Sequence, residues 1–224
     1  SYSYSLITAV ILMPLNWLIE TAKWHLLLSK IKPQKFKKTT LDVLAGISTS
    51  LLTPNRIGNF VGRTINLEKE VRTKAVISTI HSNLAQFMAS ILFGLVGLAF
   101  VDFANDYISV AGLRISAFVV ILVALSIYFY PQLLDFNPLS KMYSNQVKEG
   151  IGLIQKESIP MKLTILGLSL LRYFVYLIQF YLLLTCFDMD LGYQKIIPAI
   201  SVVYLITTII PSFLFGKLLN TLES

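Results

Sequence analysis

A few charged residues sit where an apolar chain has little reason to carry charge. Arg172 falls near the middle of an apolar run at 163–187, and Glu20 lies inside another at 5–28. A third run, 41–60, starts apolar and then turns polar at Thr53-Pro54-Asn55-Arg56-Ile57-Gly58-Asn59, with Arg63 close behind. A guanidinium offers a planar fork of donors that matches phosphate oxygens bidentately. The chemistry on offer is therefore recognition of an anion. Arg56 is the first candidate for a phosphate contact, and Gly58 would let backbone approach the ligand. Glu20 can balance Arg56 or Arg172, or meet a cation. The candidate substrate-binding residues are Glu20, Pro54, Asn55, Arg56, Gly58, Arg63 and Arg172.

Other polar groups in apolar runs have simpler explanations. Lys23 is three residues from Glu20, so the two share a helix face and can pair. Lys23 is also near enough to the end of its run to snorkel, beside Trp17, Trp24 and His25 as interfacial anchors. His81, Asn83, Gln86 and Gln179 suit hydrogen bonds between helices. Asp188 and Asp190 read as solvated loop residues, too few for a metal. Cys186 reads as a small packing residue. No H-E-x-x-H, Walker loop or G-x-S-x-G occurs. No catalytic residue, metal or cofactor is expected, although a membrane enzyme built from dispersed residues stays open.

The elements that carry these residues follow from composition. The chain has 224 residues, 55% of them hydrophobic and 14% charged, against about 25% charged in soluble domains. Apolar runs at 5–28, 75–101, 115–130, 163–187 and 196–215 approach or exceed the ~20 residues that span a bilayer. The 41–60 run breaks too early, which suits a re-entrant segment whose irregular backbone is buried in protein or lines a cavity. The expected fold is all-α, a polytopic helical membrane protein with four or five spanning helices and one or two re-entrant segments. Residues 1–224 read as a single transmembrane domain, and truncation at one or both ends stays open.

Thirteen Lys and Arg residues fall in the loops around 30–38, 63–74 and 141–162, against two in the loops at 102–114 and 188–195. Basic loops stay cytoplasmic, so both ends of the 41–60 run belong on one side and the run reads as a hairpin. A short spanning helix is the alternative, at the cost of breaking that rule. Residues 137–157 begin with an Asn137-Pro138 start signal and continue with apolar residues at helical spacing. They predict a cytoplasmic amphipathic helix on the membrane surface or a connector packed on the bundle. Ser48-Thr49-Ser50-Leu51-Leu52-Thr53-Pro54 also resembles Ile206-Thr207-Thr208-Ile209-Ile210-Pro211. Interrupted segments repeated in two oppositely oriented halves are the sequence pattern of a transporter site. Whether 196–215 spans or re-enters stays open.

Asn16-Trp17, Lys23-Trp24, the Pro54-Asn55-Arg56-Ile57-Gly58-Asn59 turn with Arg63, and the later Pro211–Gly216 element together resemble the lysylphosphatidylglycerol synthase transmembrane-region family of flippase-like proteins. The family turn reads Pro-Gly-Arg-x-Gly-Glu, so Asn55 stands for the glycine and Asn59 for the acid. The run after Gly216-Lys217 also departs from the family pattern. The resemblance implies a lipid transporter that binds an anionic or aminoacylated phospholipid headgroup at the turn. A lipid-modifying enzyme, its partner subunit, or a structural scaffold is the alternative. Membrane phospholipids are the expected partners, with no nucleic acid; a homo-oligomer or partner subunit stays open. The expected location is the bacterial inner membrane.

Overall fold

The computed structural model describes residues 2–53, 57–100, 110–130, 152–187 and 192–209. Within them the chain forms α1 (Tyr2–Ser29), α2 (Phe36–Leu51), α3 (Gly58–Thr64), α4 (Lys69–Phe100), α5 (Val110–Phe129), α6 (Ile159–Thr185) and α7 (Tyr193–Ile209). No strand occurs among the described residues. Each predicted run has its helix, and the broken run is divided between α2 and α3. The helices α1, α4 and α6 are long and apolar enough to cross a membrane. α5 carries a shorter apolar stretch, Phe118–Phe129.

The outward faces are apolar. Leu6, Ile7, Val10 and Ile11 of α1 and Ile115, Phe118, Val119 and Val123 of α5 are exposed. So much apolar surface is unfavourable in water and suits contact with lipid chains. Polar side chains turn inward instead.

α1 and α6 run antiparallel. Gln179 Nε2 donates to the Ala9 carbonyl at 3.0 Å, Asn16 meets Arg172, and Lys30 lies 3.9 Å from Glu157. α4 packs against α7 across a glycine seam. A Cβ on Gly94 would strike Leu205, and one on Gly97 would crowd the Pro198 carbonyl and Ser201. Small residues let two helices approach closely in this way. Tyr173 of α6 stacks on Phe93 of α4, with ring centroids 4.5 Å apart.

α2 and α3 fold back on each other as an antiparallel hairpin. Thr49 Oγ1 donates to the Gly58 carbonyl at 2.6 Å, and the Gly58 amide donates to Thr53 Oγ1 at 2.7 Å. Nearer the open end, Asn66 Nδ2 reaches Asp42 Oδ1 at 3.4 Å and Gln34 Nε2 reaches Asp42 Oδ2 at 2.9 Å. Gly58 and Gly62 make the close approach possible. A Cβ on Gly58 would overlap the Thr49 carbonyl, and one on Gly62 would overlap Thr49 Oγ1. The two feet of the hairpin are clasped by Lys32 Nζ and Glu68 Oε1 at 2.6 Å.

The clasp, the Lys30–Glu157 contact and a 2.8 Å hydrogen bond from Lys162 Nζ to the Phe129 carbonyl gather one end of the bundle. The described basic loops meet there. Arg63 is the exception: it was counted with the basic loops, but it is 2% exposed and turned inward. The hairpin tip at Pro54, Asn55 and Arg56 lies outside the described residues. So do most of the predicted 137–157 helix, Asp188, Asp190 and the Pro211–Gly216 element.

Candidate functional site

α1 presents Asn16, Glu20 and Lys23 at positions i, i+4 and i+7, which a helix places on one face. All three are almost fully buried. The Glu20 carboxylate is the hub. Its Oε1 accepts from Arg63 Nη2 of α3 at 2.6 Å. Its Oε2 accepts from Arg172 Nη1 of α6 at 2.6 Å and lies 3.0 Å from Lys23 Nζ. Residues 43 and 152 positions apart in sequence converge on one carboxylate. Glu20 lies nine residues before the end of α1, about 14 Å along the axis, so the hub is deep within the span.

Each cation is also held by neutral groups. Arg172 Nε donates to Asn16 Oδ1 at 2.7 Å and Nη2 donates to Tyr176 Oη at 3.0 Å. Its guanidinium carbon stands 5.3 Å from the Tyr176 ring centroid. Arg63 Nε donates to Asn59 Oδ1 at 2.7 Å, and its guanidinium carbon is 5.7 Å from the Trp24 ring centroid. Arg63 Nη1 is buried with no hydrogen-bond partner among the described residues. Lys23 Nζ donates to Ser169 Oγ at 3.2 Å and to Gln86 Oε1 at 3.4 Å. The cluster therefore ties α1, α3, α4 and α6 together.

The charges do not balance. Three cations surround one carboxylate, a formal excess of two positive charges. Arginine does not lose its proton in a protein. One positive charge would remain uncompensated even with a neutral Lys23. A buried unpaired charge is costly, and an anion brought to the cluster relieves that cost. The arrangement can hold a phosphate or carboxylate, with Arg63 Nη1 as a donor not yet engaged.

Among the residues expected at the site, Glu20, Arg63 and Arg172 are brought into contact. Gly58 lies at the hairpin's close approach, one residue before Asn59, and does not touch the hub. Pro54, Asn55 and Arg56 fall outside the described residues. Two expectations are corrected. Lys23 does not snorkel to an interface but is fully buried against Glu20, because an anionic partner and two polar side chains solvate its ammonium there. Trp24 is likewise fully buried, packed beneath Arg63, and is not an interfacial anchor. Gln86 and Gln179 do make the expected hydrogen bonds between helices.

Asn59, Ser169 and Tyr176 were not singled out as partners of the cations. Spacing could have found two of them: Asn59 and Tyr176 each lie four residues from the arginine they bind, a helical neighbour distance. Ser169 carries no comparable signal, since serine is common in apolar helices.

Apolar helices enclosing a largely buried cluster of charges, with aliphatic side chains facing outward, define a polytopic integral membrane protein. The sequence model described as the lysylphosphatidylglycerol synthase TM region matches residues 2–216. The chain belongs to that family. No curated protein and no solved structure matches it.

Proposed function

We propose that this protein is a flippase-like lipid transporter that binds the headgroup of an anionic or aminoacylated phospholipid. The observation that carries this reading is the excess of buried positive charge around Glu20. Arg63 and Arg172 take the phosphate, while Glu20 holds them apart and can meet an ammonium on the headgroup. The hairpin of α2 and α3 acts as a re-entrant element, and Pro54, Asn55, Arg56 and Gly58 join the headgroup-binding residues in this reading. Its helices, of 16 and 7 residues, fall short of the ~20 needed to span. The basic end faces the cytoplasm of a bacterium by the positive-inside rule.

The test is reconstitution in liposomes with fluorescent phosphatidylglycerol or phosphatidylcholine, scored by chemical quenching of the outer leaflet. The wild type is expected to move the phosphatidylglycerol probe in preference. Arg56→Ala and Arg172→Gln should abolish movement while the protein stays folded. Wild-type rates in both variants would end the assignment.

A further inference from the structure

A second group of titratable side chains lies nearer the basic end of the bundle. His81 of α4 is 1% exposed. Its Nδ1 lies 3.2 Å from Glu157 Oε2, in the connection just before α6. Neither ring nitrogen of His81 makes a hydrogen bond among the described residues, and Glu157 Oε2 and Ser82 Oγ are also buried without one. Three unsatisfied polar atoms on one ring and the carboxylate facing it call for an explanation.

A proton supplies one. A neutral imidazole has one donor and one acceptor nitrogen. With the hydrogen on Nδ1, facing the carboxylate, Nε2 is left as a buried lone pair with no donor. With the hydrogen on Nε2, two lone pairs face each other at 3.2 Å. A second proton between Nδ1 and Oε2 removes that opposition and leaves an imidazolium beside a carboxylate, while Nε2 stays without a partner among the described residues. Around His81 stand Glu157 from the connection, Lys23 from α1, Lys30 just after it, Lys162 from α6 and the Tyr128 ring from α5, whose centroid is 5.7 Å away. Burial opposes the added charge most and the three lysines oppose it too, while the Glu157 carboxylate favours it. Burial pushes the Glu157 carboxyl above its ordinary range, with Lys30 and Lys162 pulling the other way.

We propose that His81, backed by Glu157, is a proton-binding site whose proton is taken up together with the anionic lipid. Lys23 joins the two sites. It contacts Glu20 at 3.0 Å, lies within electrostatic reach of His81, and is bound by Gln86, five residues along α4 from His81. A proton on His81 raises the positive potential at the cluster, which strengthens its hold on an anion. A bound anion favours the proton to the same extent, because such coupling is reciprocal. The coupled step rests on the lipid-transport reading, whereas the proton site itself does not.

Two experiments separate them. The chain holds two histidines, so His25→Asn leaves His81 as the single imidazole for nitrogen-15 NMR. Its ring nitrogens are expected to titrate, and Glu157→Gln to move that titration to lower pH. A titration indifferent to Glu157→Gln would overturn the site. In proteoliposomes, movement of the phosphatidylglycerol probe by the wild type should change when an imposed pH gradient is collapsed with nigericin. The ratio of the two rates should fall to one in His81→Gln and in Glu157→Gln. The same gradient response in both variants would overturn the coupling. No movement of any probe by the wild type would overturn the lipid reading and the coupling with it, and the NMR titration would still decide the proton site.

Discussion

Glu20 is the residue on which most of the buried charge depends. Removing a carboxylate from among three cations leaves like charges facing one another out of water. Loss of one partner from a buried pair typically costs about 3–5 kcal/mol. Glu20→Gln is therefore expected to lower the thermal midpoint in detergent far more than Arg172→Gln, because in the latter Glu20 keeps Arg63 and Lys23 and the excess charge falls. Equal losses in the two variants would contradict the imbalance. At this scale the sequence was legible in part. An acid and an arginine deep in apolar runs already ask for partners, and Glu20 and Arg172 proved to be partners of each other. The fate of Lys23 was not legible, because snorkelling and inward pairing are both open to a lysine two turns from a helix end. What decided it was Ser169 and Gln86, brought in by helices far away in sequence.

Among the elements, the hairpin depends on two glycines. A methyl group on Gly58 or Gly62 would collide with Thr49, so α2 and α3 must part to admit it. Overpacking of this kind costs about 1–3 kcal/mol. Gly58→Ala and Gly62→Ala should each lower the thermal midpoint measured in detergent, and an unchanged midpoint in both would contradict the close packing of the two helices. The feet of the hairpin respond to pH. Lys32 holds the Glu68 carboxyl below its ordinary value, first through their hydrogen bond and then through its charge. A depressed carboxylate contributes above its ordinary pKa and loses that contribution as pH falls through the lower folded value. Acidification below about 4, or high salt, should therefore speed amide exchange around residues 32–38 and 65–69. The break in the 41–60 run could be read from Pro54 and Gly58. The closeness of the return could not, since it depends on Thr49 meeting Gly58 across the turn.

The whole molecule places its described basic loops at one end, as the spacing of Lys and Arg along the chain suggested. That pattern is legible because short loops keep their charge on one side, whatever the packing between them. Cysteines introduced at Lys38 and Lys69 should label from the same side of the membrane in intact cells, and labelling from opposite sides would rule out a re-entrant hairpin. The helical order and approximate lengths were also legible, because hydrocarbon demands long apolar runs. The pairing of α4 with α7 was not, since it rests on Gly94 and Gly97, and glycines in a membrane helix do not announce their neighbours. That seam limits how the protein can work. Backbones lying so close, keyed together by Leu205 and Pro198, slide past each other poorly. Any swing between inward and outward openings must carry those two rods as a single plank and pivot somewhere else.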